Sequence, residues 1–211
     1  VTGGTGTGKT TLLSALLSLA DPGERLLLVE DSAELRPLHP HVVRLETRPP
    51  NLEGAGGVGL RDLVRQALRM RPDRLVVGEV RGSEVVDLLA ALNTGHEGGC
   101  GTLHANTAAD VPPRLEALGC AAGLSREAVH SQLSAALDAV VHLTRDRPHG
   151  RRRIAEICLF TRTSTGLVES VPALTFTTDG TSHIGPAYAS FTQATRAALK
   201  PRDQSPQERR P

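Results

Sequence analysis

The sequence predicts an α/β fold, a mainly parallel sheet with helices on both faces. Three observations carry that prediction. Residues 3–10 form a glycine-rich loop, Gly3-Gly4-Thr5-Gly6-Thr7-Gly8-Lys9-Thr10, that opens directly into a helical pattern. Two apolar runs, Leu26-Leu27-Leu28-Val29 and Leu75-Val76-Val77, show no polar alternation and end near a carboxylate; strands buried on both faces of a parallel sheet read this way. Stretches of helical periodicity lie between and after these runs.

The loop has the spacing G-x-x-x-x-G-K-T. Its glycines let several backbone N–H groups point inward at a phosphate chain. Lys9 can reach the β- and γ-phosphates, and the Thr10 hydroxyl can face Mg²⁺. Leu12, Leu13, Leu16 and Leu17 repeat at helical spacing behind it, so a helix dipole aims at the same anions. Candidate nucleotide-binding residues are therefore Gly3, Gly4, Thr5, Gly6, Thr7, Gly8, Lys9, Thr10 and Thr11. A chance glycine-rich turn is the alternative, and eight matching positions followed by a helix weigh against it.

Length and composition set the frame. The 211 residues fit one domain, or one domain with an appendage. Lys and Arg total 24 against 23 Asp and Glu, so no global field points to nucleic acid. Aromatics are 2% with no Trp, which leaves no stacking platform for single strands. No apolar run reaches the length of a membrane span, and no signal peptide is visible. Cys100, Cys120 and Cys158 are odd in number and widely spaced, against a disulfide framework or zinc site and for buried thiols in a reducing cytosol. Only Val1 and Thr2 stand where a buried strand normally precedes such a loop. The sequence thus reads as a fragment with a truncated first strand.

Taken in order, Asp21-Pro22-Gly23 is a turn, and the run from Leu26 ends in Glu30-Asp31. Carboxylates at such a tip lie where ligands bind in open α/β sheets, or they start a turn. His41 to Leu45 is a further strand, and residues 53–59 form a glycine-rich loop. Leu60, Leu63, Val64, Ala67 and Leu68 share a helical face. Arg61, Arg65, Arg69 and Arg71 fall off that stripe, as a solvated face or as contacts to a phosphate on another subunit. The run from Leu75 ends in Gly78-Glu79; a carboxylate there can hold the water shell of Mg²⁺ or orient the attacking water. Val85, Leu88, Leu89 and Leu92 mark the next helix.

Residues 94–106 hold His96 and His104 around a glycine-rich run, with a strand expected through 101–104. His96 is a candidate phosphate sensor. Each histidine alone also fits a structural role, and no third metal ligand accompanies them. Asp110 and Ser125 cap two helices. Val140, Val141 and Leu143 read as strand. The stretch 145–153 carries five arginines against one aspartate, a solvated hairpin tip or else an anionic contact such as a membrane surface. Short strands are expected at 154–161, 167–168 and 173–177, and the polar end of the chain reads as disordered. The expected organisation is a core over 1–145, a small C-terminal β appendage over 146–190 and a disordered tail over 191–211.

Four stations then line up: the loop at 3–10, the box Leu28-Val29-Glu30-Asp31-Ser32-Ala33-Glu34-Leu35, the strand end Val76-Val77-Gly78-Glu79-Val80-Arg81-Gly82, and the histidine box at 94–106. Together they resemble the ATPases of type II and type IV secretion and type IV pilus systems. Residues 40–51 and 68–74 resemble the Tad/Flp pilus assembly branch in particular, itself related to conjugation-type ATPases. The resemblance runs through about residue 145. It implies a RecA-like P-loop NTPase domain that pairs with a separate N-terminal domain, absent here. It also implies a homo-hexameric, ATP- and Mg²⁺-dependent motor on the cytoplasmic face of the inner membrane, working on a membrane platform protein, with ATP as its small-molecule substrate. Carried over by position, Lys9 and Thr10 bind phosphate and Mg²⁺, Glu30 polarises water, Glu79 holds Mg²⁺ or its water shell, and His96 and His104 report the γ-phosphate. Arginines of the 44–81 region bind nucleotide or bridge subunits. A DNA-translocating ATPase and a nucleotide binder without turnover are the rivals. Balanced charge and scarce aromatics weigh against the first, and intact Lys9, Thr10, Glu30 and Glu79 against the second.

Overall fold

A computed structural model of the chain describes residues 1–95, 98–146 and 150–198. The elements run β1 (Thr2–Gly3), α1 (Lys9–Leu17), β2 (Leu26–Glu30), β3 (Val42–Glu46), α2 (Leu60–Arg69), β4 (Arg74–Val77) and α3 (Glu84–Leu92). They continue with β5 (Cys100–Gly101), α4 (Val111–Ala121), α5 (Arg126–Ala136), β6 (Ala139–Arg145), β7 (Arg152–Arg162), β8 (Val168–Phe176), β9 (Ser182–Ile184) and α6 (Tyr188–Ala198).

One group of strands is parallel throughout, in the order β3-β2-β4-β5. The other has the order β1-β6-β7-β8-β9, with β1 parallel to β6 and the later pairs antiparallel. The two groups join at β1. The Val1 nitrogen donates to the Gly101 carbonyl at 2.8 Å, Leu103 N donates to the Val1 carbonyl at 3.0 Å, and Thr2 bridges Leu103 in parallel register. The phosphate-loop strand therefore sits in the middle of one continuous sheet.

The uninterrupted apolar runs have a direct structural cause. Successive side chains of a strand point to opposite faces, and both faces here are covered. Leu26, Leu28 and Val76 pack with Leu13 and Leu17 of α1 and with Leu35. Leu27, Val29, Leu75 and Val77 point the other way, into a core with Val64 of α2, Val85 of α3, Leu115 of α4 and Val129 of α5. Each of these seven strand residues has no exposed surface. Burying one such side chain is worth roughly 1.5–3 kcal/mol, so polar alternation in either run would destabilise one of the two layers.

Several elements differ from expectation. The C-terminal β segment is larger than three short strands. β7 and β8 are long, and β6 builds them onto the central sheet. Residues 167–168 and 173–177 join into one strand through Pro172, which lies at a register shift where Ile157 faces Leu174 and Cys158 faces Pro172. A bulge of this kind accommodates a residue without an N–H. α6 (Tyr188–Ala198) runs from the end of the expected β appendage into residues 191–198, where disorder was expected, and it contacts β8; residues 199–211 lie outside the described residues. β5 is only Cys100–Gly101, so His104 follows a short extended stretch beyond it. Asp110 heads α4, but its carboxylate accepts from Thr107 rather than from the helix. Ser125 caps α5 by accepting from Ala128 N. Of the three thiols only Cys158 is buried; Cys120 is exposed. Arg61 and Arg65 are not a purely solvated face: both bind Asp87 of α3, at 2.6 and 2.8 Å.

α4 and α5 pack closely at Gly119, where a Cβ would stand 2.6 Å from Val129 Cγ2. Val129 is fully buried and stiff at its branched Cβ. In Gly119→Ala, overpacking of about 1–3 kcal/mol outweighs the helix-propensity gain of about 1 kcal/mol. The expected outcome is a lower urea midpoint with an unchanged slope, measured by far-UV circular dichroism.

Candidate nucleotide-binding site

Because β1, β2, β4 and β5 are parallel, their carboxyl ends share one edge of the sheet, where ligands of such folds bind. The phosphate loop leaves β1 there, Glu30 ends β2, Gly78-Glu79 follows β4, and Thr102 to His104 follow β5. These segments surround a cavity of about 550 Å³.

The loop divides its residues between wall and frame. Thr5, Gly6, Gly8, Lys9, Thr10 and Thr11 line the cavity. Gly6 and Gly8 take φ of 73° and 96°, a left-handed conformation that favours glycine, and this turns the backbone around the cavity. Gly3 and Gly4 instead hold Lys9 by their carbonyls, which accept from Nζ at 3.0 and 3.1 Å. Thr7 braces the loop from within, its hydroxyl donating to the Gly4 carbonyl at 2.9 Å.

A chain of charge runs across the strand tips. Arg81 pairs with Asp31 at 3.6 Å and with Glu79 Oε2 at close range. Glu79 Oε1 lies 2.6 Å from His104 Nε2, which lies 3.4 Å from Lys9 Nζ. Burial pushes the Lys9 ammonium below its usual range, opposed by the Glu79 and Glu34 carboxylates. The Glu79 hydrogen bond raises the Arg81 guanidinium above its own range. His104 thus links the loop to the β4 tip; His96 lies outside the described residues.

Glu30 is almost wholly buried, at 3% exposure. Its Oε1 accepts from Glu34 N at 3.0 Å and from Leu35 N at 2.9 Å, so it organises the turn after β2. Arg44 Nη1 lies 3.6 Å from Oε2 and donates to the Leu35 carbonyl. Gly78 makes room for this carboxylate, since a Cβ there would stand 2.8 Å from Glu30 Cγ. Glu30 Oε2 remains buried without a hydrogen-bond donor among the described residues, while Glu79 Oε1 faces the His104 ring nitrogen. An orphaned oxygen such as Glu30 Oε2 marks a place for an ion or ordered water, which fits a hydrated Mg²⁺ beside a phosphate chain.

Other contributors stand out only in three dimensions. Glu34 lines the cavity and accepts from the Thr10 hydroxyl at 3.4 Å; the spacing from Glu30 to Glu34 was its only signal. Glu84 is buried and accepts from Arg81 N and Gly82 N, fixing the turn beyond Glu79. Thr102 donates to the Gly78 carbonyl at 2.5 Å, tying β5 to the β4 tip. Arg152 also lines the cavity, from the basic stretch read as a solvated hairpin tip or else an anionic contact.

A phosphate loop at the carboxyl edge of a parallel sheet, faced by two acidic strand tips and a histidine, defines a P-loop nucleotide-binding domain. Residues 1–157 match the model of the family described as "Type II/IV secretion system protein", and the chain belongs to that family. It is 63% identical over 171 residues to a Mycobacterium tuberculosis protein named for conjugal transfer, covering 81% of this chain and 48% of that one. It is 38% identical over 160 residues to conjugal transfer protein TrbB of Rhizobium radiobacter, covering 74% of this chain and 46% of that one. Among solved structures, the VirB11 ATPase of the Brucella suis type IV secretion system, in complex with sulphate, aligns with a TM-score of 0.66 and 31% identity. That alignment covers 75% of this chain and 46% of the other. The pilus retraction motor PilT with bound ADP aligns with a TM-score of 0.60 and 30% identity, covering 78% and 47%. The chain spans about half the length of the curated relatives it matches.

A phosphate ligand needs the charged form of Lys9. The lowered pKa of that ammonium means that phosphate affinity falls as pH rises, earlier than for an ordinary lysine. Glu79 raises the Lys9 pKa, so Glu79→Gln moves the decline to still lower pH. ADP binding by the full-length protein, titrated through the alkaline range, checks this; Lys9→Arg serves as the variant without the transition.

Proposed function

We propose that this chain is the catalytic part of an ATP-hydrolysing motor subunit of a secretion, conjugation or pilus assembly system. The observation that carries the reading is the convergence of Lys9, Glu30, Glu79 and His104 on one phosphate-loop cavity. The loop amides and Lys9 bind the polyphosphate and hold it in line. Glu30, positioned by the backbone amides of the β2 turn, orients and polarises water through its second oxygen. Thr10 and Glu79 would hold Mg²⁺, whose charge would offset that of the phosphoryl oxygens. His104, between Lys9 and Glu79, responds to loss of the γ-phosphate, and His96 joins it in that role. Catalysis here is positioning and charge stabilisation, as phosphoryl transfer requires.

Hydrolysis then drives rigid-body movement within a homo-hexamer at the inner face of the membrane, against a platform protein. Among the described residues no helix is long and apolar enough to cross a membrane. The segments at 40–51 and 68–74 support a Tad/Flp pilus role. The relatives named for conjugal transfer support a conjugation-type role on the same residues. A DNA-translocating enzyme would show DNA-stimulated turnover with steep salt dependence; a secretion or pilus motor would not.

Lys9→Ala in the full-length protein abolishes phosphate release. Glu30→Gln and Glu79→Gln each slow hydrolysis about 100-fold or more while nucleotide still binds, the scale of removing one electrostatic group from such a site. Phosphate-release kinetics and equilibrium binding read the two effects separately. Unaltered turnover in either carboxamide variant removes that residue from the mechanism.

A further inference from the structure

The β6–β7 hairpin brings arginines to the mouth of the cavity, and their surroundings separate them by task. Strand alternation sends neighbouring side chains to opposite faces. Arg153 turns away from the cavity, bound to Asp146 at 3.0 Å and to the Phe176 carbonyl at 2.5 Å. Arg145 stands opposite Arg152 in the register and also nears the loop, its Nη1 3.8 Å from a Cβ placed on Gly6, but its Nε is committed to the Gly150 carbonyl at 3.1 Å and it does not line the cavity. Arg152 faces the phosphate loop. A Cβ placed on Gly8 would lie 3.5 Å from Arg152 Cδ, so the arginine stem passes beside that glycine with room for a methyl group between them.

The charges around the cavity single out this residue. The lining contains the carboxylates Glu30, Asp31, Glu34 and Glu79. Arg81 is committed to Glu79 and Asp31, and Lys9 to the Gly3 and Gly4 carbonyls. Arg152 lines the same cavity and makes no side-chain hydrogen bond or ion pair among the described residues. A polyphosphate entering here meets several carboxylates and one uncommitted guanidinium. Planar, multi-donor guanidinium is the side chain best suited to phosphate oxygens.

We infer that Arg152 is a nucleotide-binding residue that grips the α- and β-phosphates beside Gly8. The inference rests on the nucleotide reading above. Gly8 belongs to the part of the loop whose amides cradle the α- and β-phosphates, whereas Lys9, Glu79 and His104 cluster at the γ-phosphate end. Contact with phosphates common to ATP and ADP is ground-state binding, so it acts on affinity and leaves the chemical step alone.

The test measures ADP and ATP dissociation constants and kcat in the full-length protein and in three variants. Arg152→Ala weakens ADP and ATP to the same extent, about tenfold, as loss of a charge-assisted contact implies. Its kcat at saturation stays within about twofold of the parent, the mark of lost uniform binding. Arg152→Lys, which keeps the charge without the fork, falls between. Arg151→Ala removes the same charge from an exposed neighbour that does not line the cavity, and it leaves both constants unchanged. Unchanged affinity in Arg152→Ala overturns the assignment, as does an equal loss in Arg151→Ala or a fall in kcat at constant affinity. If the parent protein itself binds neither nucleotide, the nucleotide reading falls and takes this assignment with it.

Discussion

Parallel pairing is the constraint from which the site follows. In a parallel sheet every strand delivers its carboxyl end to the same edge, and each return must cross a face as a helix or loop. β1, β2, β4 and β5 obey this. A glycine-rich loop, a buried glutamate, a second acidic tip and a histidine, spread over about a hundred residues, therefore meet at one cavity. Reversing any one strand would carry its functional residue to the far side of the sheet. The double burial of Leu26 to Val29 and Leu75 to Val77 holds the strands in this arrangement.

On that scaffold the charged groups largely restrain one another. Glu30 is locked by two backbone amides, Glu79 by Arg81 and His104, and Lys9 by two carbonyls of its own loop. Buried polar groups need partners; most of these are local, but Arg81–Asp31, Glu79–His104 and His104–Lys9 join different strand ends. A change at one group is thereby felt at the next, from Asp31 through Arg81, Glu79 and His104 to Lys9. The proposed motor would use coupling of this form to sense one phosphate, and the orphaned oxygen of Glu30 is where a ligand would enter the chain. The β6–β7 hairpin adds Arg152 to the cavity wall beside Gly8.

Much of this was legible in the residue order. Local chemistry announces a phosphate loop, because its glycines, lysine and threonine act through backbone geometry within eight positions. Unbroken apolar runs announce double burial, because alternation would place polar groups in a core. Those two signals were enough for the α/β class and for Lys9 within a phosphate loop; Glu30, Glu79 and His104 entered as candidates through their places near strand ends and through the family resemblance, and the folded chain brings them to one cavity. The extent of the C-terminal strands was less visible, since Pro172 breaks the pattern and only a partner strand shows that a bulge absorbs it. α6 was hidden for a related reason: its polar sequence becomes helical while packed beside β8.

The division has a physical basis. Propensity, periodicity and loop chemistry are properties of neighbours along the chain, so the order of residues settled the class of fold and the phosphate-binding loop unaided. Which charges are already committed depends on residues far apart in sequence. Arg61 and Arg65 looked like a solvated face until Asp87 of α3 met them, and Arg152 looked like one until β6 and β7 paired beside Gly8. Only the folded chain could decide between a charge neutralised by a partner and a charge left open to a ligand, because a Coulomb interaction is set by distance through space and not by separation along the backbone.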